Sequence, residues 1–249
     1  MTLINNYWIM MMFEHVPVEL TEMNAVTTDT GRKYMTPEGI NLPSITTVLS
    51  ILSRDSIAKW RKRVGEAEAN RVSYRASTRG TSVHEICEKY VNNDPDWDKY
   101  MAIDPDNGEM KLTKRTPDLI QSFLDLKPIL DERLTKVFAQ EAPLYSNHLG
   151  VAGRVDCVGI FDGKPSIIDY KTSMKPKRLD WIKNYFMQEA AYAIMWEERT
   201  GQPITQLVTI ISVDQHEPQV FIEHRDNWVR PLIDTIAQYN EENSTSLFV

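Results

Sequence analysis

The chain has 249 residues, of which 42% are hydrophobic, 9% aromatic and 25% charged, the proportions of a folded globular protein rather than a disordered one. Its longest apolar run, residues 7–13, is too short to span a bilayer and lacks the basic lead and small-residue cleavage site of a signal peptide, so a soluble, cytoplasmic protein with no membrane attachment is expected. Two cysteines, Cys87 and Cys157, exclude a disulfide framework and any four-cysteine zinc or iron–sulphur site supplied by this chain alone.

The net charge of −7 argues at first sight against a polyanionic partner, because binding phosphates needs Lys and Arg. The charge is unevenly spread, however. Residues 54–79 carry eight basic and three acidic side chains, and residues 164–183 carry six and two, which leaves a balance of −16 over the remainder. Two basic segments on an acidic body could direct a polyanion to one face, or could simply be solvated helix surfaces.

In chain order, residues 1–42 read as an N-terminal extension with short strands around the Thr28–Arg32 turn, and three methionines at 10–12 leave the natural start open. Residues 43–249 read as one domain, divided into a helical part (43–136), a sheet (137–225) and a C-terminal helix (226–249). Ser44 after Pro43 is a natural N-cap, and helix is expected from there to about Asn92. The turn-rich stretches at 94–96 and 104–108 suggest a surface loop or boundary. Pro117 occupies the first position of a further helix, with Leu119, Ile120, Phe123, Leu124, Leu126, Ile129 and Leu130 as its apolar face.

From Val137 the period becomes that of strands. Val137–Tyr145 and Val151–Ile160 are joined by a turn at 147–150, Ser166–Lys171 follows after Asp162-Gly163, and a later pair is expected at Thr205–Val213 and Gln219–His224. Asp-Gly between strands favours a two-residue turn in which Phe161 faces Lys164, and continuing that register sets Asp156 opposite Asp169. Facing carboxylates repel unless a cation lies between them. Alternation puts Lys171 on the same face as Asp169. A two-residue slip would separate the carboxylates, and Asp-x-Lys on an exposed strand can equally be solvated charge.

Three other features bear on this choice. Residues 178–199 form an amphipathic helix stopped by Gly201, whose stripe Trp181, Tyr185, Gln188 and Tyr192 is either core packing or part of a site. Gly80 and His84 lie one helical turn apart, with Glu88 one turn further on. The glycine leaves room beside a potential imidazole ligand, although a lone helical His is also an ordinary structural residue. Glu141 precedes Asp156 by one strand, with its facing open.

In chain order the segments Pro43-Ser44-Ile45-Thr46, Arg79-Gly80 with His84, Glu141, Gly153-Arg154-Val155-Asp156, Ile168-Asp169-Tyr170-Lys171-Thr172-Ser173 and Gln188-Glu189-Ala190-Ala191-Tyr192 resemble the PD-(D/E)xK nuclease superfamily. Within it they resemble the RecB-like exonucleases, which include phage exonucleases and the mitochondrial genome maintenance exonuclease. The resemblance covers about residues 43–195 and departs from the pattern at Val155, where the eponymous proline would stand. It implies an α/β restriction-endonuclease-like fold, with a mixed central sheet flanked by helices and a helical cap or arch. It also implies one or two Mg²⁺ or Mn²⁺ ions on His84, Asp156, Asp169, Glu141 and the Tyr170 carbonyl, and no iron–sulphur cluster.

In the same way the resemblance assigns Lys171 to orienting the attacking water or stabilising the transition state. Gln188 and Tyr192 would contact the strand or brace Lys171, and Arg79, Arg75, Lys175 and Lys177 would meet backbone phosphates. The expected activity is metal-dependent hydrolysis of DNA from single-stranded or duplex ends in replication, recombination or repair, alongside proteins of those processes. A free-standing, phage-encoded enzyme acting in the host cytoplasm is the implied setting. A structure-specific endonuclease, or a silent DNA-binding protein on the same fold, remains as an alternative.

Overall fold

The computed structural model describes residues 12–105 and 107–245; most of the apolar run 7–13, two of the three methionines, Asp106 of the turn-rich stretch and the last residues of the expected C-terminal helix lie outside them. In chain order the elements are β1 (Glu14–His15), β2 (Ala25–Thr28), β3 (Gly31–Met35), β4 (Asn41–Pro43), α1 (Ile45–Leu49), α2 (Arg54–Val64), α3 (Glu66–Val91), β5 (Lys99–Ile103), β6 (Met110–Lys114), α4 (Pro117–Arg133), β7 (Leu134–Ser146), β8 (Val151–Phe161), β9 (Lys164–Ser173), α5 (Lys183–Thr200), β10 (Gln206–Val213), β11 (Gln219–His224) and α6 (Asp226–Thr245). The central sheet has the order β1-β7-β8-β9-β10-β11. It is mixed: β1 runs parallel to β7 and β9 parallel to β10, and the other neighbours are antiparallel.

Alternation along the strands builds two cores, one on each face. On one side Ile167, Leu207 and Ile211 pack with α1, α5 and α6. On the other, Ile168, Tyr170, Val208 and Ile210 pack with the C-terminal half of α3 and with Phe123, Leu126 and Leu130 of α4. Of the apolar face expected for α4, those three residues are buried and Leu124 points outward. A fully buried side chain of this size contributes about 1.5–3 kcal/mol, and the sheet is covered on both sides as a mixed α/β layer fold requires.

The ends of the elements follow local chemistry. Ser44 caps α1 by accepting a hydrogen bond from the Thr47 N–H at 3.0 Å. Asp162 and Gly163 have φ of 50° and 74°, the left-handed pair that a tight hairpin between twisted strands demands. Gly201 closes α5 in the left-handed conformation.

Three expectations differ from what is observed. The turn-rich segment is a small hairpin, β5–β6, whose five-residue strands are too short to announce themselves. The helix expected from 178 opens only at Lys183, after a single 3₁₀ turn over Leu179–Trp181, because Pro176 and the extended Arg178 delay it. Trp181 therefore leaves the stripe and is 62% exposed. The N-terminal stretch is also tied to the body: β1 joins the sheet, and the Phe13 N–H donates to Asn93 Oδ1 at 2.8 Å. The α2 helix buries none of its residues and the first half of α3 only Ala69, so this basic stretch stands out as an arm.

Candidate active site

The site lies where the sheet forks. The Asp162-Gly163 turn sets the β8–β9 register as expected, with Phe161 opposite Lys164 and Cys157 opposite Ile168. Among the described residues the ladder ends there, one pair short of Asp156 and Asp169. Beyond it β8 continues paired with β7 to Val151, and β9 with β10 to Ser173. Along β8 the facing also switches, since Val155 packs on the α5 side and Cys157 on the α3 side. The two aspartates therefore do not face each other across a regular ladder. Asp156 instead accepts a hydrogen bond from the Tyr170 N–H at 2.9 Å, which satisfies a donor that the splayed strands leave unpaired.

Glu141 sits at the matching irregularity of β7, with φ of 43° in a conformation that side chains seldom adopt, and Arg154 Nη1 donates to its carbonyl oxygen. From α3, His84 Nδ1 reaches to 3.4 Å from Asp156 Oδ2, and its ring meets the Tyr170 ring edge-on. His84, Glu141 and Asp156 bring one ligand atom each to within 4.8 Å of one another. Gly80 faces open space on the same helix, with nothing within 4 Å of where a Cβ would stand.

Asp169 belongs to a second, adjoining group. Its carboxylate is in ion-pair contact with Lys171 and accepts a hydrogen bond from Gln188 Nε2 at 3.1 Å. The buried Oδ2 is the oxygen that meets the ammonium. The Lys171 ammonium also stands 5.3 Å from the centre of the Tyr185 ring. Gln188 thus braces Asp169, and Tyr185 lies against Lys171, a role that its place in an amphipathic stripe does not signal. Tyr192 is buried below Gln188, against Gly153.

A Cβ at Gly153 would come 2.7 Å from Tyr192 Cε1 and 2.9 Å from its hydroxyl, and this fixes the glycine of the Gly-Arg-Val-Asp segment. Gly153→Ala is expected to cost about 1–3 kcal/mol through overpacking. A thermal melt that matches the wild type would disprove that close fit.

Electrostatics mark the same place. Burial first, then Asp156 and Glu88, push the Glu141 carboxyl up to about 7. Burial and Asp156 likewise raise Asp169, against the pull of Lys171. Burial alone would lower Lys171, but Asp169 and Asp156 outweigh it and hold the ammonium above its usual range. Glu189, wholly buried on α5 and accepting a hydrogen bond from Thr209 Oγ1, is raised well above the usual carboxylate range by burial and then by Asp169. The sequence signal for Glu189 is a carboxylate at a core position of an amphipathic helix.

Crowded carboxylates, an imidazole nitrogen and a raised glutamate form a donor set that fits a hard divalent cation. Of the expected phosphate-contacting residues, Arg75 and Lys175 are exposed and Lys177 is half-buried. Arg79 is committed elsewhere, paired with Asp214 and donating to Ser122 Oγ at 3.0 Å. No helix among the described residues is long and apolar enough to cross a membrane.

No protein of curated function matches the sequence. Among solved structures the chain is similar to a candidate exonuclease from Eubacterium rectale, at 15% identity and a TM-score of 0.41, covering 64% of this chain and 63% of that one. The family model described as the PD-(D/E)XK nuclease superfamily matches residues 56–244, well over half of the chain and including every residue of the fork. By that match the chain belongs to the PD-(D/E)XK nuclease superfamily.

Proposed function

We propose that this protein is a divalent-metal-dependent DNA exonuclease of the RecB-like branch, hydrolysing phosphodiester bonds from DNA ends in replication, recombination or repair. The observation that carries the reading is the fork itself, where His84, Glu141 and Asp156 converge beside an Asp169–Lys171 pair steadied by Gln188. The exonuclease assignment rests on the resemblance of the Gln188-Glu189-Ala190-Ala191-Tyr192 segment to the RecB-like pattern.

His84, Glu141, Asp156 and Asp169 would hold the ion, Mg²⁺ or Mn²⁺ by the hardness of these oxygen and imidazole donors. When bound, such an ion lowers the pKa of a water and neutralises phosphate oxygens. The protein's own groups do the positioning. Lys171 presents a compact positive charge to the phosphoryl group, Tyr185 limits where that ammonium can go, and Gln188 fixes the carboxylate beside it. Exposed Arg75 and Lys175, with Lys177, supply sequence-independent phosphate contacts.

The test is a gel assay on end-labelled linear single strands, linear duplex and covalently closed circles, with Mg²⁺, Mn²⁺ or EDTA. Metal-dependent loss of linear DNA alone is the expected result. Cutting of circles would assign an endonuclease, and no cutting of any substrate would leave a binding protein on a nuclease fold.

A further inference from the structure

The segment between β9 and α5 carries a group of side chains that neither the core nor the fork employs. Of the tryptophans among the described residues, Trp196 and Trp228 are buried and Trp60 and Trp97 partly so, whereas Trp181 is 62% exposed. Met174 and Leu179, on the same segment, are exposed as well. Lys175, Lys177, Arg178 and Lys183 surround them, against the single acid Asp180. Arg178 pairs with Asp180 and stands 5.6 Å from the centre of the Trp181 ring, while Lys175, Lys177 and Lys183 have no ion-pair partner among the described residues.

A lone exposed apolar side chain needs no explanation. Here three apolar and four cationic side chains fall within ten residues, and the backbone that presents them is pinned. The Lys177 N–H donates to Gln219 Oε1 at 2.6 Å, and Gln219 Nε2 donates back to the Lys177 carbonyl at 3.0 Å. Ser173 Oγ donates to the Lys175 carbonyl at 2.7 Å, and Ile182, next to Trp181, is buried. The segment leaves β9 two residues after Lys171 and enters α5 two residues before Tyr185, so it borders the fork at the Lys171 end.

We propose that Trp181 is a stacking platform for an unpaired base of a DNA strand entering the fork, with Lys175, Lys177 and Lys183 taking the adjoining phosphates. The inference rests on the nuclease reading and narrows its substrate to single-stranded DNA. The chemistry separates the two kinds of end: lysines meet phosphates on either, but an indole face stacks only on a base whose own face is free. Inside a duplex those faces are covered.

The experiment is binding by the full-length protein in EDTA, where cleavage does not interfere, to fluorescently labelled oligo-dT and to a blunt duplex of equal length. Trp181→Ala is expected to weaken oligo-dT binding about tenfold and to leave duplex binding unchanged, with Trp181→Phe largely restoring it. The salt dependence is expected to stay as in the wild type for Trp181→Ala and to become shallower for Lys175→Ala. Because Trp181 is exposed, the variants should melt with the wild type. Wild-type affinity of Trp181→Ala for oligo-dT, or equal losses on both DNAs, would overturn the stacking role while the nuclease reading stands on its cleavage assay. Failure of the wild-type protein to bind oligo-dT would also overturn the stacking role, and the nuclease reading would still be decided by the cleavage assay.

Discussion

Lys171→Ala is expected to cut phosphodiester hydrolysis by at least about 10²–10³-fold, the loss that follows removal of one preorganised charge-stabilising donor, while DNA affinity stays near the wild-type value. The reason lies in where the ammonium is held. Lys171 is only 20% exposed, pressed against Asp169 and set over the Tyr185 ring, so its charge is aimed into the fork rather than outward. Desolvation alone would favour losing that proton; the neighbouring carboxylates reverse the balance and keep the group charged at any pH at which the enzyme would work. On the proposed reading phosphate affinity would instead be spread over exposed cations such as Lys175 and Arg75. Lys171→Arg should recover little, since a planar guanidinium does not replace a compact ammonium wedged between a carboxylate and a ring. Measured single-turnover cleavage near the wild-type rate in Lys171→Ala would remove this residue from the chemistry.

The sequence exposes the parts of this site that depend on local pattern and hides those that depend on the fork. Asp162-Gly163 sets the register by turn chemistry, so the approach of Asp156 and Asp169 follows from the residues of the hairpin alone. That β8 leaves β9 at that very pair does not, because nothing in the alternation of residues 151–161 signals a change of facing between Val155 and Cys157. The orientation of Glu141 depends on its left-handed backbone in β7, an irregularity that only tertiary packing imposes. Tyr185 and Glu189 lie in a stretch of helix readable as ordinary core, and their roles appear once α5 is seen to cover Asp169 and Thr209, neighbours across β9 and β10. Arg79 fails as a free phosphate contact for the same reason: its partner Asp214 is distant in sequence.

Asp156→Asn is expected to abolish cleavage and at the same time to make the metal-free protein more stable. The amide oxygen can still accept the Tyr170 N–H, so the strand fork survives; what disappears is one negative charge that crowds Glu141 and Asp169, against a smaller loss of its attraction for the Lys171 ammonium, which Asp169 still holds. In the wild type that charge helps push Glu141 up to about 7 from an ordinary 4.5. A carboxyl raised in the folded state contributes stability that is present in full below about pH 4.5 and is lost as pH rises through about 7. Wild-type protein in EDTA should therefore melt lower at pH 8 than at pH 6, and Asp156→Asn should lessen that fall, at about 2–4 °C for each kcal/mol in a chain of this size. Added Mg²⁺ or Mn²⁺ should raise the melting point of the wild type, most strongly at pH 8, because a ligand that binds only the folded state stabilises it and these groups bind as carboxylates. In Asp156→Asn that rise should shrink with the lost ligand, and cleavage should fall by more than the 10- to 100-fold typical of outer-shell changes at metal sites. A variant that melts below the wild type in EDTA at pH 8, or that keeps the full cation-induced shift, would show that Asp156 serves the fold rather than the ion. The opposite movement of stability and activity is the signature of a residue whose charge is tolerated in the fork for the sake of what binds there.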